Sequence, residues 1–160
     1  MITYHVGNLF DAEKKNCIIA HVCNNMGGWG SGFVVPLGRN YPKAREEYYN
    51  NTSYILGHTQ LVEISQISKV YVANMIAQTL GGKRPLYYNH LARCMDQVRD
   101  YAKAFEVKIY APLFGSKLAG GNWDFIEQLI IDSWNSCHLD VHIFQLAGEE
   151  LREDGFQIKD

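Results

Sequence analysis

The stretch Ile18-Ile19-Ala20-His21-Val22-Cys23-Asn24-Asn25-Met26-Gly27-Gly28-Trp29-Gly30-Ser31-Gly32-Phe33 decides how this chain is read. An apolar run stops abruptly at polar side chains. Four of the six residues from 27 to 32 are then glycine. A buried strand that delivers His21 and Asn24 to a glycine-rich loop builds a site for a phosphorylated ligand. Glycines let backbone N–H groups turn toward an anion with no Cβ in the way. A glycine-rich hairpin turn is the plainer alternative. It ranks second, because a two-residue hairpin needs one or two glycines, not four around a tryptophan.

The segments on either side repeat the same grammar. Ile2 to Val6 reads as a first strand ending at Gly7-Asn8, and Asn16 to Cys23 as a central strand covered on both faces. Val34 to Asn40 reads as a short helix stopped by Pro42, and Lys43 to Asn50 as another. Thr59 to Ile64 and Lys69 to Ala73 read as paired strands, and residues 81–85 as a loop. Leu91, Met95, Val98, Ala102 and Phe105 share one face of a helix over Leu86 to Phe105. Val107 to Ala111 is a strand, Gly115 to Gly121 a second glycine-containing loop, and Trp123 to Cys137 a helix capped by Asn122. Val141 to Leu146 is the last strand. Residues 1–146 therefore form one α/β domain with a largely parallel sheet. Residues 147–160 form a polar tail, of which Leu151 to Asp160 is expected to fray. Ligands of such sheets sit at the carboxyl ends of the strands.

Composition narrows the function classes. A formal net charge of -2 gives no general attraction to nucleic acid or to anionic membranes, so phosphate binding must be local. No apolar run reaches a membrane-spanning length. Four cysteines without a CxxC pair, and no signal-peptide pattern, predict reduced thiols in a cytoplasmic protein. No metal and no cofactor is expected. His138 and His142 have helical metal-site spacing but fall at a strand entrance, where that spacing means little. Lys83-Arg84 beside Tyr87-Tyr88 reads as a loop and a helix start, not as an RNA-binding signature.

Four stretches carry a resemblance: Gly7-Asn8-Leu9, the run from Ile18 to Phe33, Val72 to Gln78, and Leu118-Ala119-Gly120-Gly121-Asn122-Trp123. Together the chain resembles a macrodomain, the ADP-ribose-binding three-layer α/β/α fold with a mixed sheet. More narrowly it resembles the ADP-ribose-1''-phosphate processing branch of bacteria and phages. The resemblance implies that Asn8, where the family usually has Asp, lies at adenine. It implies backbone contacts to the base from Ile19 and Ala20, and packing of Phe144 on it. Asn24 would meet the distal ribose, which the loop of Gly27, Gly28, Trp29, Gly30, Ser31, Gly32 and Phe33 would wrap together with one phosphate. The second loop, with Phe114, Gly115, Ser116, Lys117, Leu118 and Ala119, would close over the diphosphate. Lys117 replaces a family glycine there, and Ala119 replaces an aspartate that a related group of ADP-ribosyl hydrolases uses.

Two functions remain open on these residues. One is an enzyme that removes the 1''-phosphate, with His21 aiding proton transfer at the distal ribose. The other is a non-catalytic binder of ADP-ribose-type nucleotides, with His21 held by core hydrogen bonds. A third, removal of ADP-ribose from proteins, is opposed by Ala119. Cys23 sits two residues from His21 and would face the same way on a strand. A buried structural thiol is the better reading, since no oxyanion site or third partner accompanies it.

Overall fold

Residues 17 to 24 carry almost no exposed side chain because they lie at the centre of a sheet covered on both faces. The computed structural model describes residues 1–51 and 53–160. Its elements are β1 (Ile2–Val6), β2 (Cys17–Asn24), α1 (Val34–Asn40), α2 (Pro42–Tyr49), β3 (His58–Ser65) and β4 (Val70–Gln78). Then follow α3 (Tyr88–Phe105), β5 (Lys108–Pro112), α4 (Trp123–Ser133), β6 (Val141–Gln145) and β7 (Gln157–Ile158). The sheet order is β3-β4-β2-β5-β6-β1-β7. The five inner strands run parallel. The two edge strands run antiparallel, so the sheet is mixed.

Strand alternation sorts the core into two layers. Ile18 and Ala20 join the cluster under α3 and α4, with Leu91, Met95, Val98, Ile126 and Ile130. Cys17, Ile19 and Cys23 join the opposite cluster under α1 and α2, with Leu37, Ala44 and Tyr48. His21 falls on this second face. At its carboxyl end β2 loses register with β4 between Cys23 and Asn24, a bulge at the point where the strand hands over to the glycine loop.

The expected boundaries shift in several places, and β4 runs to Gln78 where Ala73 was the expected end. Leu86 is not the first helical residue: it bridges Gln78, the Tyr87 N–H donates to Ala77, and α3 starts at Tyr88. The helix capped by Asn122, whose side chain accepts from the Phe125 N–H, ends at Ser133 and gives way to a 3-10 turn at Asn135–Cys137. A further shift concerns the tail, which is tied to the rest of the domain. Gln157–Ile158 pairs with β1, and the Gln145 side chain accepts from the Leu151 and Arg152 N–H groups at 2.7 and 2.9 Å. Arg152 donates to Glu127 at 3.1 Å and to Asp124 at 2.7 Å. Glu127 also accepts from Tyr4, whose ring lies in the core.

Arg152→Ala is therefore expected to destabilise the domain by about 1–3 kcal/mol, because it leaves a half-buried carboxylate short of its cation. Urea denaturation measures this. An unchanged midpoint would mean that the tail merely lies on the surface. Among the described residues no helix is long and apolar enough to cross a membrane, and all four cysteines are free.

Candidate functional site

The loops after β2 and after β5 both leave the carboxyl ends of parallel strands. They meet across a cavity of about 880 Å³, a size suited to a dinucleotide-scale ligand. Its walls include His21, Asn24, Gly28, Gly30, Ser31, Gly32 and Phe33 from the first loop region. Phe114, Gly115, Ser116, Lys117, Leu118 and Ala119 come from the second, and Asn8 and Phe144 close one end.

Asn24 organises the first loop from beneath. Its Oδ1 accepts from the Met26 and Gly28 N–H groups at 2.9 and 3.0 Å, and its Nδ2 donates to the Gly28 carbonyl at 2.9 Å. The Tyr48 hydroxyl adds a bond to the Asn24 backbone and side-chain oxygens at 2.7 and 2.9 Å. A Cβ on Gly28 would stand 2.8 Å from Asn24 Nδ2, so the loop can close on this side chain only through glycine. One Nδ2–H of Asn24 remains uncommitted among the described residues, and it is a donor.

His21 is 1% exposed, and Nε2 lies 2.6 Å from Asn74 Oδ1. The network assigns the tautomer. Asn74 Nδ2 donates to the Ala44 carbonyl and to Gln60 Oε1, so its Oδ1 must face His21 and accept. Nε2 therefore carries the proton, and Nδ1 is left as a lone pair. Burial pulls the imidazole down to about 4, against a smaller opposing pull from Asn74, so it is neutral at pH 7. The near-neutral titration expected of a catalytic histidine is thus moved well into the acid range. Cys23 Sγ sits 3.7 Å from Nε2, whose hydrogen is already given to Asn74, and 4.0 Å from Nδ1, toward which its S–H is a weak donor. Burial pushes the thiol well above its usual range, which makes it an inert core group.

In the second loop Lys117 occupies the left-handed region at φ 59°, where a glycine would be unstrained. Its ammonium forms an ion pair with Glu149, in the turn after β6, and both side chains are about half exposed. Glu149 also lines the cavity. Asn8 uses its Oδ1 to cap a short 3-10 helix through the Phe10 N–H, which leaves its amide hydrogens as what it can offer outward.

Four of the expected residues do not reach the cavity. Ile19 and Ala20 lie mid-strand, fully buried in the two opposite core layers. Gly27 turns at φ 77° beneath Tyr54. Trp29 is buried against His21 and Tyr48, with ring centroids 5.6 and 5.2 Å away. Sequence reasoning in turn missed Gln78, Thr79 and Leu80 at the end of β4, and Glu149. The β4 residues were findable: they follow Val72 to Ala77 at a parallel strand's carboxyl end, where ligands collect. His142 bonds to His5 at 2.8 Å and pairs with Asp140, His138 pairs with Asp160, and Arg84 lies over Tyr88.

This geometry has close counterparts. A macrodomain protein from Streptomyces coelicolor is 32% identical, with 90% of this chain and 98% of that one covered and a TM-score of 0.76. This chain belongs to the macrodomain family. An uncharacterised 17.5 kDa protein of Enterobacteria phage T4 is 33% identical over 132 residues, covering 78% of this macrodomain and 83% of the phage protein. An ADP-ribose 1''-phosphate phosphatase of Lodderomyces elongisporus is 24% identical over 157 residues, covering 89% and 98%. No family model matches the chain.

Proposed function

We propose that the cavity binds ADP-ribose derivatives and that the protein hydrolyses ADP-ribose-1''-phosphate to ADP-ribose and phosphate. The observation that carries this is the neutral His21, fixed as the Nε2–H tautomer on the cavity wall beside the Asn24-ordered loop. The yeast relatives named for this phosphatase activity support it. Phe144 and Asn8 take the adenine end, with Asn8 donating to a ring nitrogen in place of the usual carboxylate. The first loop wraps the distal ribose, and its backbone N–H groups face phosphate. Water attacks phosphorus as His21 Nδ1 accepts its proton, the bond from phosphorus to the ribose 1'' oxygen breaks, that oxygen takes a proton from solvent to become the hydroxyl of ADP-ribose, and the imidazolium returns its proton to solvent. The four free thiols fit a reducing cytoplasm.

Phosphate release from ADP-ribose-1''-phosphate, followed beside calorimetry with ADP-ribose, tests the proposal. Binding without release would leave a sensor of ADP-ribose-type nucleotides. That second reading has one observation in its favour, because His21 is buried and held by Asn74. Lys117, for its part, already has a carboxylate partner. An exposed pair of this kind is worth roughly 0–1 kcal/mol, so the ligand's phosphates can take Lys117 from Glu149. Glu149→Gln is then expected to tighten ADP-ribose binding severalfold at low salt, with the gain shrinking as salt rises. Affinity blind to both changes would leave Lys117 a surface residue.

A further inference from the structure

We propose that Asn74 and Gln60 are positioning residues: a ladder of side-chain amides across three strands that holds His21 with its proton on Nε2 and its lone pair on Nδ1. The three residues are register neighbours. His21 on β2 lies opposite Asn74 on β4, and Asn74 lies opposite Gln60 on β3. Asn74 is fully buried, with Val72, Ala73, Met75, Ile76 and Ala77 around it on the strand. A matched apolar set at these three positions would be nearly neutral for stability, so stability alone does not call for the ladder.

The ladder has one polarity. It is anchored on two backbone carbonyls of α2, which can only accept. The Glu47 carbonyl accepts from Gln60 Nε2 at 2.8 Å, which turns Gln60 Oε1 toward Asn74. Asn74 Nδ2 donates to that oxygen at 3.1 Å and to the Ala44 carbonyl at 3.2 Å. Oδ1 is then the atom that meets His21 Nε2, at 2.6 Å. Reversing the amides would set acceptor against acceptor at both Ala44 and Glu47. Among the described residues, the other close neighbours of the imidazole are Cys23 on its own strand and the rings of Trp29 and Phe33. Cys23, the titratable one of these, acts weakly in the same direction through its S–H. The described lining of the cavity includes neither Asn74 nor Gln60, so the ladder acts through His21.

Ring-nitrogen spectra of the whole protein, labelled with ¹⁵N-histidine, read the tautomer, with His21 assigned through His21→Gln. This readout needs no turnover, whereas any effect on rate rests on the phosphatase reading. A wild type that binds ADP-ribose without releasing phosphate would therefore fail that reading and leave the ladder to be judged by the spectra. The wild type is expected to show His21 with Nε2 protonated and Nδ1 bare. Asn74→Leu should show both tautomers and lose phosphate release about tenfold or more, with ADP-ribose affinity little changed. Gln60 is half-buried, so substitutions there spare the fold. Gln60→Leu should move the spectrum the same way to a smaller degree. Gln60→Glu keeps the acceptor toward Asn74 and should recover the single tautomer. Asn74→Asp sets a carboxylate against Nε2–H, which favours the imidazolium. The titration of His21 in these spectra should then move up toward neutral pH, and the acid fall of the rate with it. A merely structural role for Asn74 would move neither the tautomer nor the titration. A single Nε2–H tautomer in Asn74→Leu overturns the proposal, and so does an unmoved titration in Asn74→Asp. A single tautomer in Gln60→Leu overturns the part assigned to Gln60.

Discussion

His21→Gln is expected to lower phosphate release from ADP-ribose-1''-phosphate by at least about 100-fold, the lower end of what one general acid–base group supplies. ADP-ribose affinity should change little. Glutamine can still donate to Asn74 Oδ1, so the buried network of Asn74, Gln60 and the Ala44 carbonyl survives. What it lacks is a basic nitrogen. Alanine would be a poorer probe, because it also opens a hole beside Trp29 and Phe33. The pH profile carries independent information. With the imidazole held down to about 4, the base is already deprotonated at neutrality. The wild-type rate should stay level through pH 6–8 and fall only as pH approaches that value. A variant that keeps its full rate would make His21 a structural residue and move the chemistry elsewhere.

The difference between what the sequence disclosed and what it hid follows from the range of the interactions. The α/β order, the central β2, the Asn122 cap and the meeting of both glycine loops at one end were legible, because periodicity, caps and parallel strand ends are local signals. Trp29, expected with its loop around the ribose, lies off the cavity for a physical reason: its side chain has an apolar layer with Tyr48 to enter. Ile19 and Ala20 were too far from the strand end. The tail looked soluble, yet it is tied down by Gln145 and by the Arg152–Glu127–Tyr4 chain, whose partners lie 25 or more residues from Arg152 or from Tyr4. Lys117 shows the same limit. Its partner, Glu149, comes from a turn that no spacing rule links to the second loop.

The burial that shapes the rate profile also predicts how stability depends on pH. An unfolded histidine titrates near 6.5, whereas folded His21 titrates at about 4. Between those values the unfolded chain binds a proton that the folded chain refuses, so stability rises with pH across this window. The contribution is fully present above about pH 7 and is lost as pH falls toward 4. Its full size is on the order of 3 kcal/mol, because each pH unit separating the two titrations is worth about 1.4 kcal/mol. That is a large share of the 5–15 kcal/mol typical of a domain. Urea denaturation of the wild type between pH 7.5 and 4 should therefore show a marked loss of stability. His21→Gln cannot titrate there and should lose about that much less. His5, also lowered by burial, and Asp160, lowered by the amino terminus, keep their contributions in both proteins, so the difference curve isolates His21. Parallel curves would mean that folded His21 takes its proton as readily as the unfolded chain does. The buried Nε2–H to Asn74 bond would then not describe the protein in solution, and the neutral base at the cavity wall would go with it.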